Sequence, residues 1–403
     1  MQKYSFRYFK EKIAESILLL SSLFTSIAVI FIIIFLFKEG YGLFNEKPIE
    51  KGYNLSIHPS NKLNNLTAKQ IKLIFDRNVT NWKDLGGDDR KINLLTIEKM
   101  TDIYTKKELG EGFEYLSLKI NEYVIKDSGV VAFFAEQFLD ANFKGKKVLI
   151  DDNKIKDFIT DKEWYPTASP AAQFGTLSLI MGTLWVSLGA ILFALPFGLS
   201  AAIFLAEVSN PKLRNILKPL IELLAGIPSV VYGFFGLVVI VPFIQQLFNL
   251  PVGETALAGS LVLGIMALPT IITISEDALR TTPQSLKEAS LALGATRWQT
   301  ILKVTIPYSI SGITAAVMLG MGRAIGETMA VLMVTGNAAV IPTSFLQPIR
   351  TIPATIAAEL GEAPAGGIHF KALFALGIIL FLITLIINLT VEFIKISKKS
   401  PRL

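Results

Sequence analysis

The apolar and polar positions divide the chain into three parts. Residues 17–37 run without a charge, and a membrane-spanning helix needs about 20 apolar residues. From residue 45 to 168 the pattern changes. Lys, Asp and Asn become frequent, and no stretch there could cross a bilayer. Apolar runs then return at 173–206, 220–248, 255–275, 309–335 and 372–391. The pattern predicts an α-helical multi-pass membrane protein with six transmembrane helices, interrupted by a soluble insert. The expected organisation is an N-terminal anchor helix over residues 1–44, an insert over 45–168, and a five-helix core over 169–403.

Charge sets the expected orientation. Lys3, Arg7, Lys10 and Lys12 precede the first run, and Lys395, Lys398, Lys399 and Arg402 follow the last. Lys212, Arg214 and Lys218 follow the second run, and Lys287, Arg297 and Lys303 lie between the fourth and fifth. Basic residues favour the cytoplasmic side, which predicts both termini inside and the insert outside. That assignment requires 173–206 to cross once, despite Pro196 and Gly198. The segment 242–255 has no Lys or Arg, in keeping with an outside position. A secretory signal would end in a small-residue cleavage site. Lys38-Glu39-Gly40-Tyr41 offers none, so a retained helix is expected.

Within the insert, Thr67-Ala-Lys-Gln70 reads as a capping box opening a helix through Phe75. Residues 81–87, Asn-Trp-Lys-Asp-Leu-Gly-Gly, read as a turn. Residues 129–133 and 147–150 read as short buried strands. Mixed α/β is the expected class of the insert.

Composition narrows the function. The 403 residues are 51% hydrophobic, too apolar for one soluble core. The net charge of +6 comes from flanks of apolar runs and is no sign of nucleic-acid binding. There is no cysteine, and His58 and His369 are the only histidines. Disulfides, thiolate metal sites and His-rich metal sites are therefore excluded. No Gly-x-x-x-x-Gly-Lys-Ser/Thr phosphate loop and no nucleophile–base set is recognisable, so neither ATP hydrolysis nor another enzyme activity is expected, and no cofactor.

Two stretches carry candidate chemistry. The first runs from Pro283 through Glu288-Ala289-Ser290 and Gly294 to Val304-Thr305-Ile306-Pro307. Thr282 is a plausible N-cap, Pro283 suits the first helical position and Gly294 suits a left-handed stop. This is a polar helix-turn held between two apolar runs. The second is Arg323, near the middle of the 309–335 run, with Glu327 four residues on. An Arg at a helix centre costs about 2.5–3.5 kcal/mol on insertion scales, so it should face a partner or a water-filled path. At this spacing Glu327 would share its helix face and neutralise it. Gly320, Gly322 and Gly326 surround the pair, and Gly322-x-x-x-Gly326 is a small-residue packing motif. The planar guanidinium fork suits a tetrahedral oxyanion. A structural ion pair locking two helices is the alternative.

Both stretches resemble one family. Permeases of ABC importers carry Glu-Ala-Ala, three residues, Gly, nine residues and Ile-x-Leu-Pro in a cytoplasmic loop. Glu288, Ala289 and Gly294 fit that register, while Ser290, Val304 and Ile306 are mild departures. The resemblance implies a coupling helix, within a loop spanning about 276–307, that docks on an ATPase subunit. Gly322-Arg323-Ala324-Ile325-Gly326-Glu327-Thr328 resembles phosphate importer permeases. Met329-Ala330-Val331, Arg350-Thr351 and Ala358-Glu359-Leu360-Gly361-Glu362-Ala363 resemble the PstC-type rather than the PstA-type subunit.

The resemblance implies the type I permease core of an ATP-driven phosphate importer. Its partners would be a PstA-like second permease, an ATPase dimer and a phosphate-binding protein. Inorganic phosphate would pass Arg323 and Glu327 across the lipid bilayer. Alternatives are a permease for sulfate or molybdate, a membrane sensor or scaffold, and a secondary transporter, although no matching inverted halves are visible. Residues 66–95 and 129–150 resemble one lobe of phosphate-binding proteins. Where that family places an Arg and Ser-Gly-Thr, this chain has Thr96-Ile97-Glu98-Lys99-Met100-Thr101-Asp102. The expected insert therefore docks a partner or roofs the path and does not itself enclose phosphate.

Overall fold

The computed structural model describes residues 2–49, 52–140, 142–150 and 155–397. Lys398, Lys399 and Arg402 of the basic C-terminal flank lie outside the described residues. The chain divides into two compact units. One comprises Met1–Leu43, Leu179–Ala338 and Pro342–Leu403; the other comprises Phe44–Ser178 and Ala339–Ile341.

The first unit is helical. Among the described residues, six helices are long and apolar enough to cross a membrane: Glu11–Asn45, Leu177–Val208, Ser229–Leu247, Ala256–Arg280, Arg297–Gly326 and Ile368–Thr390. These are the first to sixth spans. The first packs on the sixth through edge-on ring pairs, Phe35 with Phe374 at 5.4 Å and Phe37 with Phe381 at 6.3 Å. The second span stays helical through Pro196 to Ile203, as the single-crossing reading requires, and ends in a π-helical turn over Phe204–Val208.

The third span differs from the expected 220–248. A separate helix, Pro211–Ala225, comes first, and the span starts only at Ser229. Pro228 lacks an N–H and disfavours helical geometry at the residue before it, so the chain breaks over Gly226–Pro228. The Tyr232 hydroxyl donates to the Leu224 carbonyl at 2.8 Å, which also accepts from Ile227 N at 3.3 Å, so the two sides of the break are bonded to each other.

The fourth span is capped by Thr255, whose hydroxyl accepts from Ala258 N at 3.3 Å. It packs on the fifth at small residues. A Cβ on Gly320 would lie 2.9 Å from Ile271 Cγ1, and one on Gly312 would overlap Ala278. This is close helix approach bought with glycine, but at Gly312 and Gly320 rather than at Gly322 and Gly326. No atom outside their own helix and chain neighbours lies within 4 Å of a Cβ built at either of the latter two.

The C-terminal end of the fourth span carries a buried carboxylate. Glu276 meets Arg214 at 2.9 Å and Lys218 at 2.6 Å, with Arg280 at 3.6 Å. Lys218 also reaches Asp277 at 2.7 Å. Burial pulls the Lys218 pKa down, but hydrogen bonds to Asp277 and Glu276 outweigh it and hold it above its ordinary value. The Pro211–Ala225 helix is thereby tied to the fourth span.

The expected loop 337–370 contains a helix, Ile352–Glu359, capped by Thr351. Ile352 N donates to Thr183 Oγ1 at 2.9 Å. Glu359 accepts from Arg350 and pairs with His369, both at 2.9 Å. The periodic signal was too short to show this helix, since its cap and its anchoring partners come from elsewhere in the chain.

The second unit is α/β. Its strands are β1 (Tyr53–Ile57), β2 (Asn65–Leu66), β3 (Asn93–Leu95), β4 (Val130–Ala135), β5 (Lys146–Lys147), β6 (Leu149–Ile150), β7 (Trp164–Tyr165) and β8 (Gln173–Phe174), the last two paired antiparallel with each other. Four form a sheet in the order β3-β4-β1-β5, with β3 and β4 parallel and the other pairs antiparallel. The segment 147–150 is thus split, because β6 leaves this sheet to pair with β2. The Thr67–Gln70 capping box forms in both directions ahead of helix Ala68–Phe75. Trp82 fills the core, and its indole N–H donates to the Gly129 carbonyl at 3.1 Å. Gly129 admits no Cβ, which would overlap the Lys91 carbonyl oxygen. The two ends of the unit pair with each other: Ile49 bridges Ala171, and Ala172 N donates to Pro48 O at 2.9 Å.

Two outcomes are expected from this packing. Trp82→Ala should destabilise the second unit by about 3–5 kcal/mol, read as lost amide protection across β1 and β4 by hydrogen exchange; retained protection would place the core elsewhere. Glu276→Ala should cost about 3 kcal/mol, because Arg214 and Lys218 lose a buried partner. A purified variant melting at the native temperature would contradict that role.

Candidate anion path and coupling surface

The stretch 283–307 forms a helix over Gln284–Ala292. Pro283, not Thr282, occupies the cap position, and Thr282 is buried, bonded to Ser309 at 3.1 Å. Gly294 has φ +82, the left-handed stop its residue type implies. Glu288 and Ala289 are exposed on this helix. Two contacts hold it in place. Lys287 pairs with Glu207, in the π-helical turn of the second span, at 2.6 Å. The Ser290 and Thr300 hydroxyls meet at 2.9 Å.

Around this helix lie exposed apolar side chains that the sequence reading passed over. Leu293 is 90% exposed, and Leu286, Leu291 and Trp298 are also exposed. Their signal was present as large apolar residues in a stretch read for its polar register. A set of this kind, rimmed by polar residues, is a mark of a protein-interaction surface.

The structure corrects the geometry expected of Arg323 and Glu327. The helix ends at Gly326, so Arg323 stands in its last turn rather than at mid-helix. Glu327 is extended, with φ −70 and ψ 134, and a second helix, Met329–Val334, follows. The i, i+4 face that would bring the two side chains together does not exist, and no ion pair forms between them. Glu327 turns instead to the start of the next helix, where Oε1 accepts from Ala330 N at 3.5 Å. A cation in a last helical turn is favoured by the helix dipole. Among the described residues Arg323 has no carboxylate in ion-pair range. Tyr232 lies within its electrostatic reach, on the span that follows the Gly226–Pro228 break. Arg323 is half-buried. A partly exposed guanidinium with free donors, set where one helix breaks and beside another that starts late, can receive an oxyanion.

Comparisons with known proteins place the chain in a family. Residues 194–395 match the family described as binding-protein-dependent transport system inner membrane component. A probable ABC transporter permease protein YqgH from Bacillus subtilis is 42% identical over 243 residues, covering 60% of this chain and 78% of that relative. A phosphate transport system permease protein PstC from Mesorhizobium japonicum is 43% identical over 249 residues, covering 57% and 75% respectively. Among solved structures, an inward-facing conformation of the MetNI methionine ABC transporter matches at 20% identity and a TM-score of 0.43, covering 54% of this chain and 95% of that one. The chain belongs to the family of binding-protein-dependent transport system inner membrane components, the permease subunits of ABC importers.

Proposed function

We propose that this chain is the PstC-type permease subunit of an ATP-driven phosphate importer, forming the translocation path with a PstA-like second permease. The observation that carries the reading is Arg323, a half-buried guanidinium without an ionic partner at the end of a broken span. Relatives named for phosphate transport support the choice of substrate. The open backbone at Gly322 and Gly326 supports a tightly packed second permease beside the path. ATP is hydrolysed by a separate subunit dimer, which docks on the Gln284–Ala292 helix through Ala289 and the exposed leucines. Both termini are cytoplasmic. Residues 45–168 lie outside, where a phosphate-binding protein delivers its ligand.

In this mechanism phosphate enters the cavity between the two permeases and pairs with Arg323. Glu327, close in sequence but not bonded to the arginine, keeps the path from becoming a purely cationic trap. ATP-driven movement reaches the spans through Lys287–Glu207 and Ser290–Thr300, the two contacts that hold the coupling helix.

Three outcomes test the reading in vesicles carrying the co-expressed subunits. Arg323→Gln should reduce labelled phosphate uptake by about ten- to a hundredfold, the range for losing one charge-assisted contact, while assembly persists. Adding Glu327→Gln should change assembly little, because no ion pair is there to rebalance. Loss of assembly in Arg323→Gln alone would instead assign the arginine to packing. Ala289→Trp should leave the spans folded but separate ATP hydrolysis from uptake; normal uptake by that variant removes the coupling assignment. Competition by sulfate or molybdate stronger than by phosphate would reassign the substrate.

A further inference from the structure

The two contacts that hold the coupling helix both end at wide helical turns. Glu207 lies in the π-helical turn Phe204–Val208, and Thr300 directly precedes a second one, Ile301–Thr305. In such a turn an amide reaches back five residues instead of four. Ser209 N donates to Phe204 O at 2.8 Å, and Ile306 N donates to Ile301 O. The first turn is closed by a side chain, since the Ser209 hydroxyl donates to Leu205 O at 2.9 Å. The second has no such closure. Thr305 is fully buried, and its hydroxyl has no hydrogen-bond partner.

Two local effects oppose each other at this second turn. Pro307 favours the wide form. In a regular α-helix its ring would press on the carbonyl of Lys303, four residues back, and the extra residue gives it room. The third span repeats this register, with a wide turn over Gly236–Ile240 and Pro242 two residues on. Yet Pro196 and Pro269 lie inside regular helices, so proline favours the wide turn without requiring it. Thr305 favours the regular form. The hydroxyls of Thr183, Thr314 and Thr335 each donate to the carbonyl four residues back, at 2.7, 2.7 and 3.0 Å. For Thr305 that carbonyl is Ile301 O, which the wide turn gives to Ile306 N. A buried hydroxyl without a partner is costly, and a regular turn would restore its bond.

We propose that Ile301–Thr305 is a two-state hinge through which movement of the coupling helix enters the fifth span, the wide turn being one state and a regular α-helical turn the other. The inference rests on the reading of Gln284–Ala292 as the ATPase-docking helix. Tightening the turn passes one residue toward the connection over 293–296. Helix Arg297–Thr300 then rotates by about 100° and advances by about 1.5 Å. The Thr300–Ser290 contact moves with it, while Lys287 stays on the closed turn at Glu207. The coupling helix is thus held at one fixed point and one movable point.

The chain has no cysteine, so spin labels can be placed at Arg297→Cys and Leu319→Cys, exposed positions on either side of the turn. The test measures the distance between them by double electron–electron resonance. The samples are nanodiscs carrying co-expressed, cysteine-free partner subunits, with and without a non-hydrolysable ATP analogue. Two distances are expected, and the analogue should shift their balance. Thr305→Val keeps the shape of the side chain and removes the hydroxyl. It should move the balance by about tenfold toward the wide-turn distance, the effect of one unpaired buried group. Pro307→Ala should move it by about tenfold or more the other way. A single distance, unchanged by the analogue and by both variants, overturns the proposal, as do shifts of the same sign in the two variants. Phosphate uptake is measured on the same samples. An analogue-driven shift without phosphate uptake supports the hinge and removes the substrate reading; uptake with an immobile turn removes the hinge alone.

Discussion

Inside hydrocarbon every backbone donor and acceptor must find a partner within the protein. The informative places in this chain are those where a helix stops obeying the simple i to i−4 pattern. The Gly226–Pro228 break is bridged by backbone bonds to Leu224 O and by a tyrosine hydroxyl from the next helix. The stop at Gly326 leaves Glu327 extended, and its side chain reaches the N-terminus of the helix that follows. Arg323 sits at one break and near Tyr232, just past the other. The cost of interrupting two helices is thus concentrated around the single cation proposed to meet the substrate.

The charged contacts elsewhere divide by task. Glu276 gathers three cations where the Pro211–Ala225 helix meets the fourth span. Glu359 joins Arg350 to His369, tying the short helix of the last loop to the sixth span. Both clusters pair their charges and fix helix positions, although the buried Arg350 Nε is left without a hydrogen-bond partner. Arg323 differs from them in having no carboxylate partner among the described residues, and a half-buried charge without a partner is a functional candidate for that reason. Lys287–Glu207 stands between these cases, since it fixes a helix whose outer surface is bare.

Most spans were legible from apolar length alone, and the capping box at Thr67 was legible because its donors and acceptors are local. The charge reading expected one crossing at 173–206, and the helix there is continuous through Pro196. What failed was geometry carried across a helix end. The spacing of Arg323 and Glu327 implies a shared face only while the helix continues, and the apolar run through 335 concealed its end at Gly326. The Gly322–Gly326 motif misled for a related reason. Small residues reveal where close packing is possible, while Gly312 and Gly320 are chosen by where Ala278 and Ile271 lie. The short helix Ile352–Glu359 was hidden because its stabilising partners, Thr183 and His369, are distant in sequence.

The pairing of Ile49 with Ala171, and of Pro48 with Ala172, has a consequence for how such a chain can arise. A folded segment whose two ends meet at one seam enters a host as a single graft. The host sees only a short gap between the residues on either side, so the first and second spans keep their order whether or not the graft is present. Lineages can then gain, exchange or discard the grafted module in one step, while the membrane helices continue to evolve under a separate set of demands.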